Sequence, residues 1–155
     1  MLTYLTINLF DSPAQALVNP VNTVGVMGRG IALEFRQRYP EMYHEYRQLC
    51  RTGKLRIGQL YVYHSQDRII VNFPTKDHWH NHSRVAYIQA GLTEFVRSYI
   101  QYDINSVSFP QLGCGLGGLD WKQQVQPVME RYLKDLPIQV YIHIKERVTS
   151  VSATF

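Results

Sequence analysis

Two glycine-rich segments, each lying between a strand pattern and a helical pattern, constrain the fold of this chain most. Residues 23–30 follow a short apolar run at 16–19 and lead directly into a predicted helix. Residues 110–119 follow a predicted strand at 106–109 and precede a helix that Asp120 can cap. Strand–loop–helix units of this kind favour an α/β fold whose ligands bind at the carboxyl ends of the strands.

The remaining patterns also alternate strands with helices. Further strands are predicted at 3–10, 59–64, 68–73 and 138–144. Helices are predicted at 31–39 and 41–51, and a third begins after Ser83, which can cap it. A fourth helix follows Asp120, and Pro127 predicts a kink in it. We therefore expect one α/β sandwich with a mixed sheet. We expect it to fill residues 1–147, with a tail at 148–155.

Composition excludes several classes of protein. The chain has 155 residues, of which 45% are hydrophobic and 18% charged, and disorder would need more charge and fewer aromatics. No apolar run approaches the roughly 20 residues of a membrane span, and the start of the chain lacks a signal-peptide pattern, so we expect no membrane contact. Cys50 and Cys114 are too few for a disulfide framework, which predicts a reducing, cytoplasmic location.

The positive charge is concentrated in one stretch. Residues 29–56 contain seven basic and three acidic residues, and this surplus of four equals the net charge of the chain, +4. A local basic face indicates a partner that carries phosphate, or simply a solvated helical face. Composition leaves both interpretations open.

The glycine spacing of the two loops indicates an anion site. Three glycines (Gly25, Gly28 and Gly30) stand directly before a helix, where backbone N–H groups can approach an anion, although a plain turn has the same letters. The second loop contains the pattern G-x-G-x-x-G, but late in the chain, and the last predicted strand does not end in the acidic residue of a dinucleotide-binding unit. Oxidoreductase chemistry is therefore disfavoured, whereas two such loops on one sheet edge suit a diphosphate.

A polar segment after the strand at 68–73 carries the reactive candidates. Lys76 is either a nucleophile with a lowered pKa or an ordinary surface lysine. His78, His80 and His82 alternate, but no cysteine or carboxylate set completes a metal site, so we expect no metal. A histidine there would serve acid–base chemistry or contact phosphate, and Trp79 would stack on a base or pack.

Together these segments resemble a known family. The runs ALVNPVNTVGVMGRGIALEF and SFPQLGCGLGGLDW are similar to the ribose-binding and phosphate-binding loops of macrodomains. With NFPTK between them, the chain resembles the macrodomains of the DarG antitoxins. The resemblance implies a three-layer α-β-α fold and a DNA ADP-ribosyl glycohydrolase that needs no cofactor. Such an enzyme removes the ADP-ribose that a DarT toxin attaches to thymidine in single-stranded DNA.

The resemblance also implies roles for individual residues. Lys76 matches the catalytic lysine, Asn22 the asparagine that contacts the distal ribose, and Asn8 the place of the adenine-recognising aspartate. The animal relative's catalytic aspartate falls near Gly117 or Gly118, and the nearest carboxylate here is Asp120. The implied catalytic residues are Lys76 and Asn22, and the implied ADP-ribose contacts are Asn8, Leu9, Asn22, Thr23, Gly28, Arg29, Gly30, Ile31, Pro110, Leu112, Gly113, Cys114, Gly115, Leu116 and Gly117. The DNA contacts that we expect are Arg29, His78, Trp79, His80 and Arg84.

Other functions remain open on the same sequence. An ADP-ribose reader would use the same loops without chemistry. A hydrolase of protein-linked ADP-ribose or of O-acetyl-ADP-ribose would keep the fold and change the substrate. We expect a monomer whose partners are ADP-ribose, ADP-ribosylated single-stranded DNA and a DarT-type toxin. The toxin-blocking region of the antitoxins should lie outside these 155 residues.

Overall fold

The computed structural model describes residues 1–145, which form one six-stranded sheet between two helical layers. The strands are β1 (Leu2–Leu5), β2 (Ala16–Asn22), β3 (Tyr61–His64), β4 (Ile69–Lys76), β5 (Ser106–Phe109) and β6 (Gln139–His143). Their order is β1-β6-β5-β2-β4-β3, and every pairing is parallel except that between β3 and β4. The helices are α1 (Gly30–Arg38), α2 (Pro40–Arg51), α3 (Val85–Ser98) and α4 (Gln126–Leu133). The predicted α/β sandwich with a mixed sheet is confirmed.

The two faces of the sheet carry separate cores, because side chains alternate along each buried strand. On β2, Val18 packs in the cluster that contains the α3 residue Phe95 and the α4 residue Met129. Its neighbour Leu17 packs in the other cluster, with Phe35 of α1 and residues of α2. This arrangement puts α1 and α2 on one face and α3 and α4 on the other.

Helix α3 lies unusually close to β4. A Cβ atom built on Gly91 would lie 2.2 Å from Cζ of Phe73, so only glycine permits this approach. Phe73 is fully buried and stands three residues before Lys76. The contact therefore fixes the strand from which Lys76 emerges.

Three predicted strand boundaries were wrong. β1 ends at Leu5 rather than residue 10, because the Asn8 side chain accepts a hydrogen bond from Phe10 N (2.9 Å) and starts a 3-10 turn over Leu9–Asp11. β2 continues past residue 19 to Asn22, and β4 continues past residue 73 to Lys76. β2 and β4 pair with each other over this extension, so the last residues of both strands, Asn22 and Lys76, are partners.

Two predictions about helix starts were also wrong. Arg84, not Ser83, is the N-cap of α3, because the Ser83 side chain is buried against the second glycine loop. The last helix, α4, begins at Gln126 rather than directly after Asp120, so Pro127 lies in its first turn, where proline is tolerated, and not in its interior. Asp120 does act as a cap, of the π-helical turn Trp121–Val125 that precedes α4, where it accepts a hydrogen bond from Gln123 N (2.7 Å).

Two further points complete the architecture. Over residues 1–145, no helix is long and apolar enough to cross a membrane. The tail predicted at 148–155 lies outside the described residues, as does the last part of the predicted domain.

Candidate active site

The carboxyl ends of β2 and β4 bring Asn22 and Lys76 side by side. The two residues are partners in the strand register, just after an irregularity between Val21 and Asn22 that ends the regular pairing. Because both strands are parallel, their following segments leave the same edge of the sheet, where ligands bind in open α/β folds. The two residues implied to be catalytic thus lie next to each other.

Asn22 holds the first glycine loop in shape. Its Oδ1 accepts hydrogen bonds from Val24 N (3.1 Å), Val26 N (3.3 Å) and the Tyr46 hydroxyl (2.9 Å). Its Nδ2 donates to Val26 O (2.8 Å), and the side chain is buried. The Tyr46 hydroxyl also donates to the Asn22 carbonyl (2.7 Å), and burial raises the pKa of this phenol, which stays a donor. The contact of Asn22 with the ribose stays a prediction. The role of Asn22 in holding the loop is one that the sequence did not indicate.

Lys76 stands half-buried at the end of β4. Its Nζ donates a hydrogen bond to Trp79 O (3.1 Å). Burial lowers the pKa of Lys76, and the nearby positive charge of Arg29 lowers it further. The lysine therefore gives up its proton more easily than an exposed lysine, which is the property that a nucleophilic amine needs.

The segment after Lys76 joins the first loop to the second. Thr23 Oγ1 donates to Asp77 O (2.8 Å), which ties the first loop to this segment. Asp77 Oδ1 accepts hydrogen bonds from Asn81 Nδ2 (2.9 Å) and His78 N (2.8 Å), and these bonds lower the pKa of Asp77. At the other end, Ser83 N donates to Gly117 O (3.0 Å). The three segments singled out in the sequence therefore form one connected site.

The second loop is shaped by positions that have no room for a side chain. A Cβ on Gly117 would lie 2.4 Å from Ser83 Oγ and 2.5 Å from Gly113 O. Gly113 has φ +72°, and its carbonyl accepts a hydrogen bond from Leu119 N (2.9 Å) that closes the loop. Ser83 Oγ is buried without a hydrogen-bond partner among the described residues. Ser83, whose hydroxyl packs on this loop, is a site residue that the sequence did not reveal, because a serine at this position is equally typical of a helix cap.

The other residues predicted in this loop differ in exposure. Pro110 and Leu112 are buried and support it, whereas Gly115 and Leu116 are exposed. Cys114 is half-buried, and burial together with the charge of Asp120 raises its pKa to about 11. Its thiol is therefore neutral at physiological pH and unsuited to act as a nucleophile. Asp120 itself is used as a cap, and the loop at 110–119 contains no carboxylate.

The predicted adenine end of the site rests on a buried polar network. Asn8 is exposed at the start of the 3-10 turn, and Leu9 beside it is buried. Behind this turn, His143 Nδ1 lies 2.9 Å from Ile7 O, and its Nε2 lies 2.9 Å from Ser108 Oγ. Burial lowers the pKa of His143, so the ring is neutral, with Nδ1 donating to the carbonyl and Nε2 accepting from the hydroxyl. No sequence pattern indicated that His143 and Ser108 support this end of the site.

Three of the five candidate DNA contacts lie on the segment that directly follows Lys76. The rings of His78 and His80 lie 3.9 Å apart, and the neighbouring Trp79 is 54% exposed. Arg29 and Arg84 are exposed, and Arg84 lies over the ring of Tyr87 (5.8 Å). Residues 1–145 contain no group of three or more potential metal ligands. Of the first-loop residues, Gly28 and Gly30 are exposed and Ile31 is half-buried at the start of α1.

Comparison with known proteins agrees with this geometry. The Macro domain profile matches residues 18–128. A DNA ADP-ribosyl glycohydrolase of Thermus aquaticus is 42% identical over 91% of this chain and 41% of its own length. The chain thus spans about two-fifths of the length of the DNA ADP-ribosyl glycohydrolases that it matches.

Two solved structures extend this result. The macrodomain of Mycobacterium tuberculosis DarG superposes with a TM-score of 0.89 at 42% identity, covering 94% of this chain and 99% of that one. Thermosipho africanus DarTG in complex with ADP-ribose superposes with a TM-score of 0.86 at 37% identity, covering 97% of this chain and 44% of that one. The chain therefore belongs to the macrodomain family and, within it, to the group that contains the DarG macrodomains.

Proposed function

We propose that the chain hydrolyses the bond between ADP-ribose and thymidine in single-stranded DNA, with Lys76 as the catalytic residue. The observation that carries the proposal is the position of Lys76. It lies half-buried at the strand end beside Asn22, with a lowered pKa, and the segment that follows it touches both glycine loops. A reader of ADP-ribose has no need of a lysine in this state. The activity named for the relatives supports the same reaction.

The two loops suit the two halves of ADP-ribose. We assign the diphosphate to the second loop, at residues 113–117, and to Gly28, Arg29, Gly30 and Ile31 at the start of α1, where N–H groups and the helix dipole favour an anion. We assign the distal ribose to Asn22 and Thr23, and the adenine to Asn8 and Leu9. This orientation brings the anomeric carbon of the distal ribose to Lys76.

The bond that breaks joins the anomeric carbon to a thymine nitrogen. In one route, the neutral amine of Lys76 attacks that carbon, the bonding electron pair leaves with the base, the base takes up a proton, and water then releases ADP-ribose. In the other route, water attacks the anomeric carbon, its proton passes to the departing base, and the protonated lysine stabilises the negative charge that develops on that base. In both routes, fixing the sugar before reaction lowers the barrier.

The proposed substrate also implies partners and a location. A DarT-type toxin would supply the modified DNA, as the Thermosipho africanus relative, named as a transferase–glycohydrolase fusion, suggests. Arg29, His78, Trp79, His80 and Arg84 are the residues that we expect to contact the DNA next to the modified base. We expect the reaction in the cytoplasm, which agrees with the reducing compartment predicted from the two cysteines.

The first test compares Lys76→Ala with the wild-type protein on thymidine-ADP-ribosylated single-stranded DNA. We expect release of ADP-ribose to fall by at least roughly 10²–10³-fold, the range for loss of one group that stabilises charge in the transition state. Binding of ADP-ribose, measured by calorimetry, should stay within a few-fold. Lys122→Ala is the matched control, because Lys122 is exposed in the turn before α4. A Lys76→Ala protein that works at the wild-type rate would contradict the role of the lysine.

The same assay separates the alternative functions. A reader would bind ADP-ribose but release none from DNA in the wild-type form. A hydrolase of protein-linked ADP-ribose or O-acetyl-ADP-ribose would turn over those substrates faster than modified DNA. Parallel reactions with the three substrates therefore decide which function the site has.

A further inference from the structure

A basic concave surface lies outside the candidate active site, between the first glycine loop and the outer side of α2. One part, of about 380 Å³, is lined by Val24, Gly25, Val26, Tyr43, Arg47 and Arg51. A second part, of about 180 Å³, is lined by His44, Arg47, Gln48 and Arg51. The two parts share both arginines. We call this surface the α2 groove.

The arginines of the α2 groove are not neutralised by the neighbouring acids. Among residues 1–145, the ion pairs are Arg38–Glu34 and Arg97–Glu94, and neither involves a groove residue. Glu45 accepts a hydrogen bond from the Tyr61 hydroxyl on β3 (2.6 Å). On helix α2, the Glu45 carboxylate therefore faces β3 at the sheet edge, whereas Arg47 and Arg51 line the groove.

The groove also has flat and apolar elements. The guanidinium of Arg36 lies 4.5 Å from the centre of the Tyr43 ring, and that of Arg47 lies 5.7 Å from it. Val24 and Val26 are 44% and 38% exposed at the rim. Planar guanidinium and aromatic groups beside cations are the features with which proteins hold the bases and phosphates of single-stranded nucleic acids.

The groove is continuous with the candidate active site. Val24 and Val26 belong to the loop whose shape Asn22 fixes, and Tyr46 of α2 bonds to the same asparagine. The loop is bonded in turn to Asp77, the residue after Lys76. A strand that leaves the reaction centre over the exposed valines would enter the groove that the same valines line together with Arg47 and Arg51.

We infer that the α2 groove binds the sugar–phosphate backbone of the DNA that flanks the modified thymidine. Arg47 and Arg51 would contact phosphates, and Val24, Val26 and Tyr43 would contact sugars or bases. This inference rests on the proposed function for the identity of the strand. It gives the basic stretch at 29–56 a defined role, in which α2 supplies affinity for the polymer and the loops supply affinity for ADP-ribose.

The test is the double variant Arg47→Gln/Arg51→Gln, measured on two substrates. One is an ADP-ribosylated single-stranded oligonucleotide, and the other is ADP-ribosylated thymidine without flanking nucleotides. We expect KM for the oligonucleotide to rise about tenfold at low salt, and the salt dependence of log KM to weaken by about 1.4, since each phosphate contact contributes roughly 0.7 for single strands. Turnover of the modified nucleoside should be unchanged.

The matched control is Arg131→Gln/Lys134→Gln on α4. Both residues are exposed, the charge change is the same, and Arg131 lies over Tyr132 at 5.7 Å, as Arg47 does over Tyr43. Wild-type KM for the oligonucleotide in the groove variant would overturn the inference, as would equal losses on both substrates. A groove made for an acidic protein surface would give the first of these results.

Binding of an unmodified single-stranded oligonucleotide, followed by fluorescence anisotropy, separates this inference from the proposed function. If the wild-type protein releases no ADP-ribose from DNA but binds the oligonucleotide, and the groove variant binds it about tenfold more weakly, the groove stands and the proposed reaction fails. If the wild-type protein releases ADP-ribose and both proteins bind and turn over the oligonucleotide equally, the reaction stands and the groove fails.

Discussion

The two glycine-rich loops of the site have similar sequences but hold their shapes in different ways. The first loop is held by side chains, because Asn22 bonds to its backbone and Tyr46 bonds to Asn22. Two of its glycines have space around them, since a Cβ on Gly30 would meet nothing within 4 Å and one on Gly28 only a valine methyl at 3.5 Å. Gly25 (φ +88°) and Gly30 (φ +57°) also have backbone angles that favour glycine. The second loop is held by close backbone approach, since a Cβ on Gly117 would lie 2.5 Å from Gly113 O.

This difference separates two uses of glycine. In the first loop, glycine leaves the surface open for a ligand to approach the backbone. The hydrogen bonds of Asn22 and Tyr46 hold this loop in shape. In the second loop, glycine allows the chain to fold tightly on itself and on Ser83. Substitutions should therefore damage the second loop through steric overlap. They should damage the first loop through lost hydrogen bonds at Asn22 and Tyr46, or through backbone strain at Gly25 and Gly30.

The largest effect is expected for Gly117→Ala. The added methyl group would overlap with Gly113 O and Ser83 Oγ, and overpacking of this kind costs about 1–3 kcal/mol of stability. Because the carbonyl cannot move without opening the loop, ADP-ribose affinity should also fall at least about tenfold, or about 1.4 kcal/mol. Thermal unfolding and calorimetry measure the two effects.

Gly115→Ala is the control for that prediction. Gly115 is in the same loop, is exposed, has no positive φ and would place its Cβ in open space. Its unfolding temperature should match that of the wild-type protein. If Gly117→Ala binds ADP-ribose as tightly as Gly115→Ala does, the second loop does not depend on close backbone approach.

The sequence was sufficient for the architecture and for the three segments that the fold brings together. Strand and helix periodicities predicted the sandwich, because the alternation on β2 and the helical stripe of α3 reflect burial that the fold really uses. The two loops and Lys76 were found together because all three follow strands whose carboxyl ends meet at one edge.

The roles of single polar residues could not be predicted. An asparagine at position 22 suits a ribose contact and a loop-holding role equally. Only the hydrogen bonds to Val24, Val26 and Tyr46 reveal that Asn22 holds the loop. Ser83 fits a helix cap until the packing on Gly117 is known. Such roles depend on contacts between residues distant in the chain, which local periodicity does not encode.

A smaller effect, confined to the first loop, is expected for Tyr46→Phe. The variant keeps the buried ring but removes the hydroxyl that donates to Asn22 O (2.7 Å) and Oδ1 (2.9 Å), so stability should fall by about 1 kcal/mol. ADP-ribose affinity should fall less than in Gly117→Ala, since Asn22 keeps its bonds to the loop. Tyr43→Phe on the same helix is the control, because the Tyr43 hydroxyl has no partner in the described part of the chain. Equal stabilities of the two variants would show that the first loop does not depend on the hydrogen bonds of the Tyr46 hydroxyl.

The smallest effect concerns the charge that the first loop brings to Lys76. Burial is the main cause of the lowered pKa of Lys76, and Arg29 is the second, so Arg29→Gln should raise that pKa without restoring it to the usual range. The limb of the kcat–pH profile that reports Lys76 should then move to higher pH. If the neutral amine attacks the sugar, this limb rises with pH, whereas if the ammonium stabilises the leaving base, it falls with pH. Arg84→Gln removes an arginine that is not among the causes of this pKa shift, so its profile should not move. An unmoved profile in Arg29→Gln would mean that the first loop contributes shape to the site but no charge to its lysine.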